Sequence, residues 1–147
     1  MSSDSTLSEF FMQDHRDCDE YWVEVENAIE SGDPAAIKAG WEAFDRRQRR
    51  HFDIEEQLMF PAFEQATGMT SGPTAVMRME HEQMRGLLEQ MAAAATAGDY
   101  QGVLDLGDTL LMLVQQHNQK EEGMLYPMAD NALASDWGSL REKVENF

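Results

Sequence analysis

The sequence predicts an all-α protein: an up-down-up-down antiparallel four-helix bundle with an internal two-fold repeat and a short C-terminal helix. Three observations predict it. Four stretches carry apolar residues at alternating spacings of three and four, which puts one stripe on one helical face. Short Gly-, Pro- and Asp-marked connections separate them, so consecutive helices run antiparallel. The chain also repeats itself: His51 and His117, His15 and His81, and Gly32-Asp33 and Gly98-Asp99 all stand 66 residues apart. The whole chain, 1–147, reads as a single domain, long enough to bury a sizeable core.

Met1-Ser2-Ser3-Asp4-Ser5 reads as a short frayed tail. Thr6-Leu7-Ser8-Glu9 then forms a capping box that opens a first helix over about 6–31. Its seam is Phe11, His15, Cys18, Trp22, Val25 and Ile29. Asp33 and Pro34 open the second helix, about 34–66, with the seam Ile37, Trp41, Phe44, Gln48, His51, Glu55, Leu58 and Ala62. A loop through Gly72 leads to Pro73 and a third helix, about 73–97, with Met77, His81, Met84, Leu88, Met91 and Ala95 inward. Asp99 caps the fourth, about 100–131, with the seam Val103, Gly107, Leu110, Val114, His117, Glu121, Met124 and Met128. Pro61 and Pro127 each remove a helical hydrogen bond, so the second and fourth helices should kink or change there. The tail, 132–147, should hold a short helix capped by Ser135 or Asp136 that docks Trp137, Leu140 and Val144.

A net charge of −17 argues against nucleic acid or an anionic membrane as partner, because phosphate binding needs a basic surface. The basic run Arg46-Arg47-Gln48-Arg49-Arg50 reads as a solvated helix face balancing nearby carboxylates. With no long apolar run and no charged-then-apolar leader, the sequence predicts neither a membrane span nor a secretory signal. The lone cysteine, Cys18, fits a reducing cytoplasm and reads as a small core residue one turn from His15.

Every histidine lies on a seam, and so do Glu55 and Glu121. In His51-x-x-x-Glu55 and His117-x-x-x-Glu121 the two side chains sit one turn apart on one face. Buried carboxylates without partners are costly, and a bound cation would compensate them. The candidate metal ligands are therefore His15, His51, Glu55, His81, His117 and Glu121, with Glu122 the alternative to Glu121. Nitrogen and oxygen donors without thiolate suit iron, manganese or zinc, and six are too many for one tetrahedral zinc. They suit two octahedral ions bridged by the two carboxylates, with two histidines on each. With a shared oxo or hydroxo bridge, about ten of roughly twelve coordination positions are filled, leaving up to one per ion for a small ligand. A ferritin-like Glu-x-x-His is absent, since Met12, Gln48, Arg78 and Val114 precede the histidines by three. A zincin His-Glu-x-x-His fails at Arg85. No residue stands out as catalytic.

The pattern His15, His51-x-x-x-Glu55, His81, His117-x-x-x-Glu121, each Glu-Glu followed by apolar residues and Pro, resembles the hemerythrin-like (HHE cation-binding) domain from the first helix through the fourth. The resemblance implies a non-haem centre of two iron ions with an oxo or hydroxo bridge that binds dioxygen, nitric oxide or a related small ligand. It makes the four histidines terminal ligands and Glu55 and Glu121 bridges. Two departures stand out: Arg85 occupies the place of a fifth histidine, and the last motif has Glu121 at four rather than aspartate at five. They favour sensing, scavenging or iron handling over oxygen transport. The alternative is an iron-donating repair protein for iron–sulfur clusters, or a di-iron redox enzyme acting on peroxide or nitric oxide.

Overall fold

The computed structural model describes residues 5–147, so the tail expected at the N-terminus lies, apart from Ser5, outside the described residues. The protein is all-helical: α1 (Leu7–Ser31), α2 (Pro34–Ile54), α3 (Phe60–Thr67), α4 (Pro73–Thr96), α5 (Tyr100–Lys120), α6 (Tyr126–Ala132) and α7 (Trp137–Glu145). A π-helical turn, Glu55–Met59, joins α2 to α3, and another, Glu121–Leu125, joins α5 to α6. Four rods result: α1, α2 continued by α3, α4, and α5 continued by α6. α1 packs along α2 and α4 along α5, while α1 against α6 and α2 against α4 close the bundle.

Local chemistry sets the ends. The Thr6 hydroxyl accepts from the Glu9 amide at 3.1 Å and the Glu9 carboxylate accepts from the Thr6 amide at 2.9 Å, a reciprocal cap. Asp33 and Asp99 cap α2 and α5 through the amides of Ala35 and Gly102. α1 ends at Gly32, whose φ of 72° is left-handed and suits a residue without a side chain. α7 begins after Asp136 without a side-chain cap, and it buries Leu140 and Val144 while the Trp137 indole donates to the Ser5 carbonyl at 2.9 Å.

The π-turns answer the expectation at Pro61 and Pro127. The Phe60 amide donates to the Glu55 carbonyl and the Tyr126 amide to the Glu121 carbonyl, each five residues back. One residue is thereby inserted into each helix, and each proline falls in the first turn of the helix that follows, where no amide donor is required. The insertion also rotates what comes after it. Past Glu55 the fully buried residues are Met59, Phe60 and Phe63, while Leu58 and Ala62 are only partly buried at the edge of the core. Past Glu121 they are Leu125, Tyr126 and Ala129, while Met128 is only partly buried and Met124 is 51 % exposed. Met124 therefore leaves the inward seam on which its spacing had placed it. An uninterrupted 3.6-residue period had carried the seam one residue too short.

Two apolar clusters fill the bundle. One gathers Phe11, Met59, Phe60, Phe63 and Tyr126 near α7, and the other gathers Trp22, Trp41, Phe44, Leu88 and Val103 at the opposite end. The histidines of the seams lie between them.

Candidate metal centre

His15 on α1, His51 on α2, His81 on α4 and His117 on α5 converge with Glu55 and Glu121, the first residue of each π-turn; all six are buried, at 0–5 % exposure. Glu121 Oε1 lies 3.0 Å from His15 Nε2, and Glu121 Oε2 lies 3.2 Å from His117 Nε2. Glu55 Oε1 lies 3.1 Å from His81 Nε2 and 3.6 Å from His51 Nε2. The Nε2 atoms of His81 and His117 are 3.1 Å apart. Each carboxylate thus spans both histidine pairs.

The outward nitrogen of every imidazole meets a carboxylate. His51 Nδ1 is 2.7 Å from Asp14, His15 Nδ1 2.7 Å from Glu122, His81 Nδ1 2.6 Å from Glu56 and His117 Nδ1 2.8 Å from Glu80. An Nδ1–H donated outward leaves the Nε2 lone pair facing inward, the arrangement a metal-binding imidazole needs. These acids obey the repeat as well: Asp14 and Glu80 are 66 apart, as are Glu56 and Glu122.

The next layer breaks the symmetry. Arg47 pairs with Asp14 at 2.5 Å, Arg85 with Glu56 at 2.8 Å and Lys120 with Glu80. No lysine or arginine pairs with Glu122 among the described residues. The repeat equivalent of Arg85 is Asp19, whose carboxyl is raised above its usual range by burial, with the nearby Glu122 charge acting in the same direction. A second break lies inside the centre. Tyr126, fully buried, donates its hydroxyl to Glu55 Oε2 at 2.5 Å and stands 3.0 Å from Glu121 Oε1 and 3.1 Å from His15 Nε2. Its repeat equivalent is Phe60, which stacks on His81 at 5.7 Å. The His15–His51 half therefore has a hydroxyl where the His81–His117 half has an apolar ring.

Crowded charge moves the titrations. Burial alone would lower the imidazoles, but hydrogen bonds and charge from Glu121 lift His15 to about 9, and Glu55 and Glu56 lift His81 to about 9. His117 is raised as well, because Glu121 outweighs burial. Burial and the Glu121 charge raise the Glu55 carboxyl, whereas His117 and His15 overcome burial and hold Glu121 well below its usual range. The two carboxyls are thus pushed in opposite directions. Burial and the same two carboxylates keep the Tyr126 hydroxyl protonated.

Three inward atoms, His51 Nε2, Glu55 Oε1 and Glu121 Oε2, are buried without a hydrogen-bond partner among the described residues. Such orphans are costly, and they surround the same space. Two groups of ligand atoms lie within 4.8 Å of one another: His15, His51, Glu55 and Glu121, and Glu55, His81, His117 and Glu121. The nearest donor contacts of 3.0–3.2 Å match adjacent corners of an octahedron with bonds of about 2.1 Å, which lie about 3.0 Å apart. Donor type, spacing and orphaned lone pairs all fit metal cations.

A family model, the hemerythrin HHE cation-binding domain, matches residues 6–129. The chain belongs to the hemerythrin HHE family. No curated protein and no solved structure matches it.

Within this hemerythrin domain the structure brings the six residues expected as ligands, His15, His51, Glu55, His81, His117 and Glu121, into one buried cluster. Glu122, the alternative to Glu121, instead faces the outer nitrogen of His15. Gln48, on the seam of the second helix, is buried, and among the described residues it bonds to no imidazole. Sequence reasoning missed Asp14, Glu56, Glu80 and Tyr126. The acids were recoverable, because each adjoins a ligand in sequence and recurs at the 66-residue offset. Tyr126 was not, because an uninterrupted helix turns it away from the seam. The Arg46–Arg50 run is more than a solvated face, since Arg47 secures Asp14 behind His51. Cys18 is a buried thiol pushed up by burial and by the Asp14 charge, which disfavours the thiolate that reactivity needs.

Proposed function

We propose that this hemerythrin domain, acting as one unit over 1–147, holds two iron ions and binds dioxygen or nitric oxide in sensing, scavenging or iron handling. One observation carries the reading: four inward imidazole nitrogens and two carboxylates that span both pairs enclose a single buried space. Bound iron would supply a redox-active centre with up to one coordination position per ion left for a small ligand, the ions sharing an oxo or hydroxo bridge. His15 and His51 would hold one ion, His81 and His117 the other, with Glu55 and Glu121 bridging.

The protein's own groups set what this site admits. At 0–5 % exposure the six residues leave no approach for a bulky substrate, which supports a diatomic ligand. Phe11 packs on His51, and Phe52 and Phe60 stack on His81, so water is kept from the rings. Tyr126 holds a protonated hydroxyl, donated to Glu55, beside the His15–His51 position, where a polar ligand would meet it. Asp14, Glu122, Glu56 and Glu80 fix each ring in the ligating tautomer. We read the protein as a binding module rather than an enzyme, working in a reducing cytoplasm that its single cysteine suits.

A second reading, iron supply to iron–sulfur cluster repair, draws on the corner at Glu122, which reaches solvent with no lysine or arginine behind it among the described residues. Metal analysis and the near-ultraviolet and visible spectrum of protein purified under air, then exposed to nitric oxide, test the first reading. About two irons per chain and a spectrum that responds reversibly to the gas are expected. One zinc, or no metal after anaerobic reconstitution with iron, would refute it, and iron loss to an apo-cluster acceptor without a gas response would favour the second.

A further inference from the structure

Away from the centre, a cavity of about 810 Å³ opens between α1, α2 and α7. Four of the chain's eleven lysines and arginines line it, namely Arg16, Arg47, Arg50 and Arg141, a concentration of cations in a protein of net charge −17. The carboxylates that share the cavity are already engaged. Asp14 accepts from Arg47 and faces His51, Asp17 accepts from Arg47 at 3.1 Å, Glu145 accepts from Arg141 Nε at 3.2 Å, and Glu9 caps α1.

The guanidinium groups nevertheless keep unused donors. Among the described residues Arg50 donates only to the Val144 carbonyl, at 3.3 Å, and Arg16 only to the Gln13 amide oxygen, at 3.4 Å. Arg47 Nε and Arg141 Nη1 are buried with no acceptor among the described residues, and Arg141 as a whole is 5 % exposed. A buried charged donor without an acceptor is costly, and the planar guanidinium fork matches carboxylate and phosphate oxygens. The volume falls within the range of small-molecule sites, roughly 300–1,000 Å³.

We propose that this cavity binds a small oxyanion, a carboxylate or a phosphate group, through Arg50, Arg141 and Arg47, and that its occupancy is felt at His51. The connection is short. Arg47 Nη2 contacts Asp14 Oδ1, and Asp14 Oδ2 contacts His51 Nδ1. An anion on Arg47 competes with Asp14 for the guanidinium and so alters the acceptor that orients one histidine of the centre.

Isothermal titration of the metal-free full chain at constant ionic strength, with inorganic phosphate and separately with succinate, tests the proposal. Saturable one-site binding of at least one probe is expected, and the tighter probe names the ligand class. Arg50→Gln and Arg141→Met should each weaken that binding about tenfold or more, the loss of one charge-assisted hydrogen bond. Arg50 is only half-buried, so its variant keeps the test valid where removal of Arg141 disturbs folding. In nitrogen-detected spectra the His51 ring signals should move along the same saturation curve, while those of His81 and His117 stay. Heats that never saturate with either probe, or undiminished binding by Arg50→Gln, overturn the site. Saturable binding with a silent His51 overturns its link to the centre.

Discussion

Tyr126 is the residue by which the two halves of the centre differ most, and Tyr126→Phe isolates what its hydroxyl does. The ring itself should be unaffected, because Phe keeps the packing against Phe11 at 5.4 Å and Phe60 already occupies the equivalent place in the other half. What is lost is the donor 2.5 Å from Glu55 Oε2 and 3.0 Å from Glu121 Oε1, in a site where both carboxyls are fully buried. A hydrogen bond to a charged group contributes about 2 kcal/mol. An unfolding entropy of about 2.1 cal/mol/K per residue, over 147 residues, converts that loss into a fall in Tm of about 6 °C for the metal-free protein. Bound cations offset the carboxylate charge, so the loaded protein should lose only the roughly 1 kcal/mol of a neutral hydrogen bond, about 3 °C. Differential scanning calorimetry of chelator-treated and loaded protein measures both. An unchanged or raised Tm in the metal-free variant would refute the view that the hydroxyl offsets the buried charge.

Three further outcomes are expected. Glu121→Gln should leave fewer than two metal ions per chain, whereas Glu122→Gln should keep both with affinity lowered about 10–100-fold, the usual effect of losing an outer imidazole acceptor. Metal content after graded chelator challenge measures this, and the opposite ranking would reverse the roles given to the two residues. His15 and His81, raised to about 9, stabilise the metal-free fold fully below the ordinary histidine value near 6.5, and that stability is lost as pH rises through about 9. Its Tm should therefore decline between pH 6.5 and 9 while metal affinity increases, since the ligating imidazoles must shed protons; a flat metal-free profile would show that these pairs do not form. Gly107 lets α5 approach α1 so closely that a Cβ there would overlap the Trp22 ring. Gly107→Ala should cost about 1–3 kcal/mol despite its better helix propensity, read as a lower Tm and altered Trp fluorescence.

The sequence by itself determined the four-rod plan and the membership of the buried cluster. The reason is periodicity: α1, α4, and α2 and α5 up to their glutamates follow one uninterrupted helical register, so His15, His51, His81, His117, Glu55 and Glu121 could be placed on inward stripes without coordinates. The doubled 66-residue spacing then matched the stripes to one another. What lay past Glu55 and Glu121 was decided only in three dimensions. The π-turns insert a residue that no local pattern announces, and that insertion exposes Met124 and brings Tyr126 against Glu55. The outer shell was equally hidden, because Arg47, Arg85 and Lys120 meet acids from other helices at separations of 29–40 residues. Helical periodicity sets which face a side chain occupies, but which partner it meets across the bundle depends on how the rods are rotated and packed, and that only the tertiary structure decides.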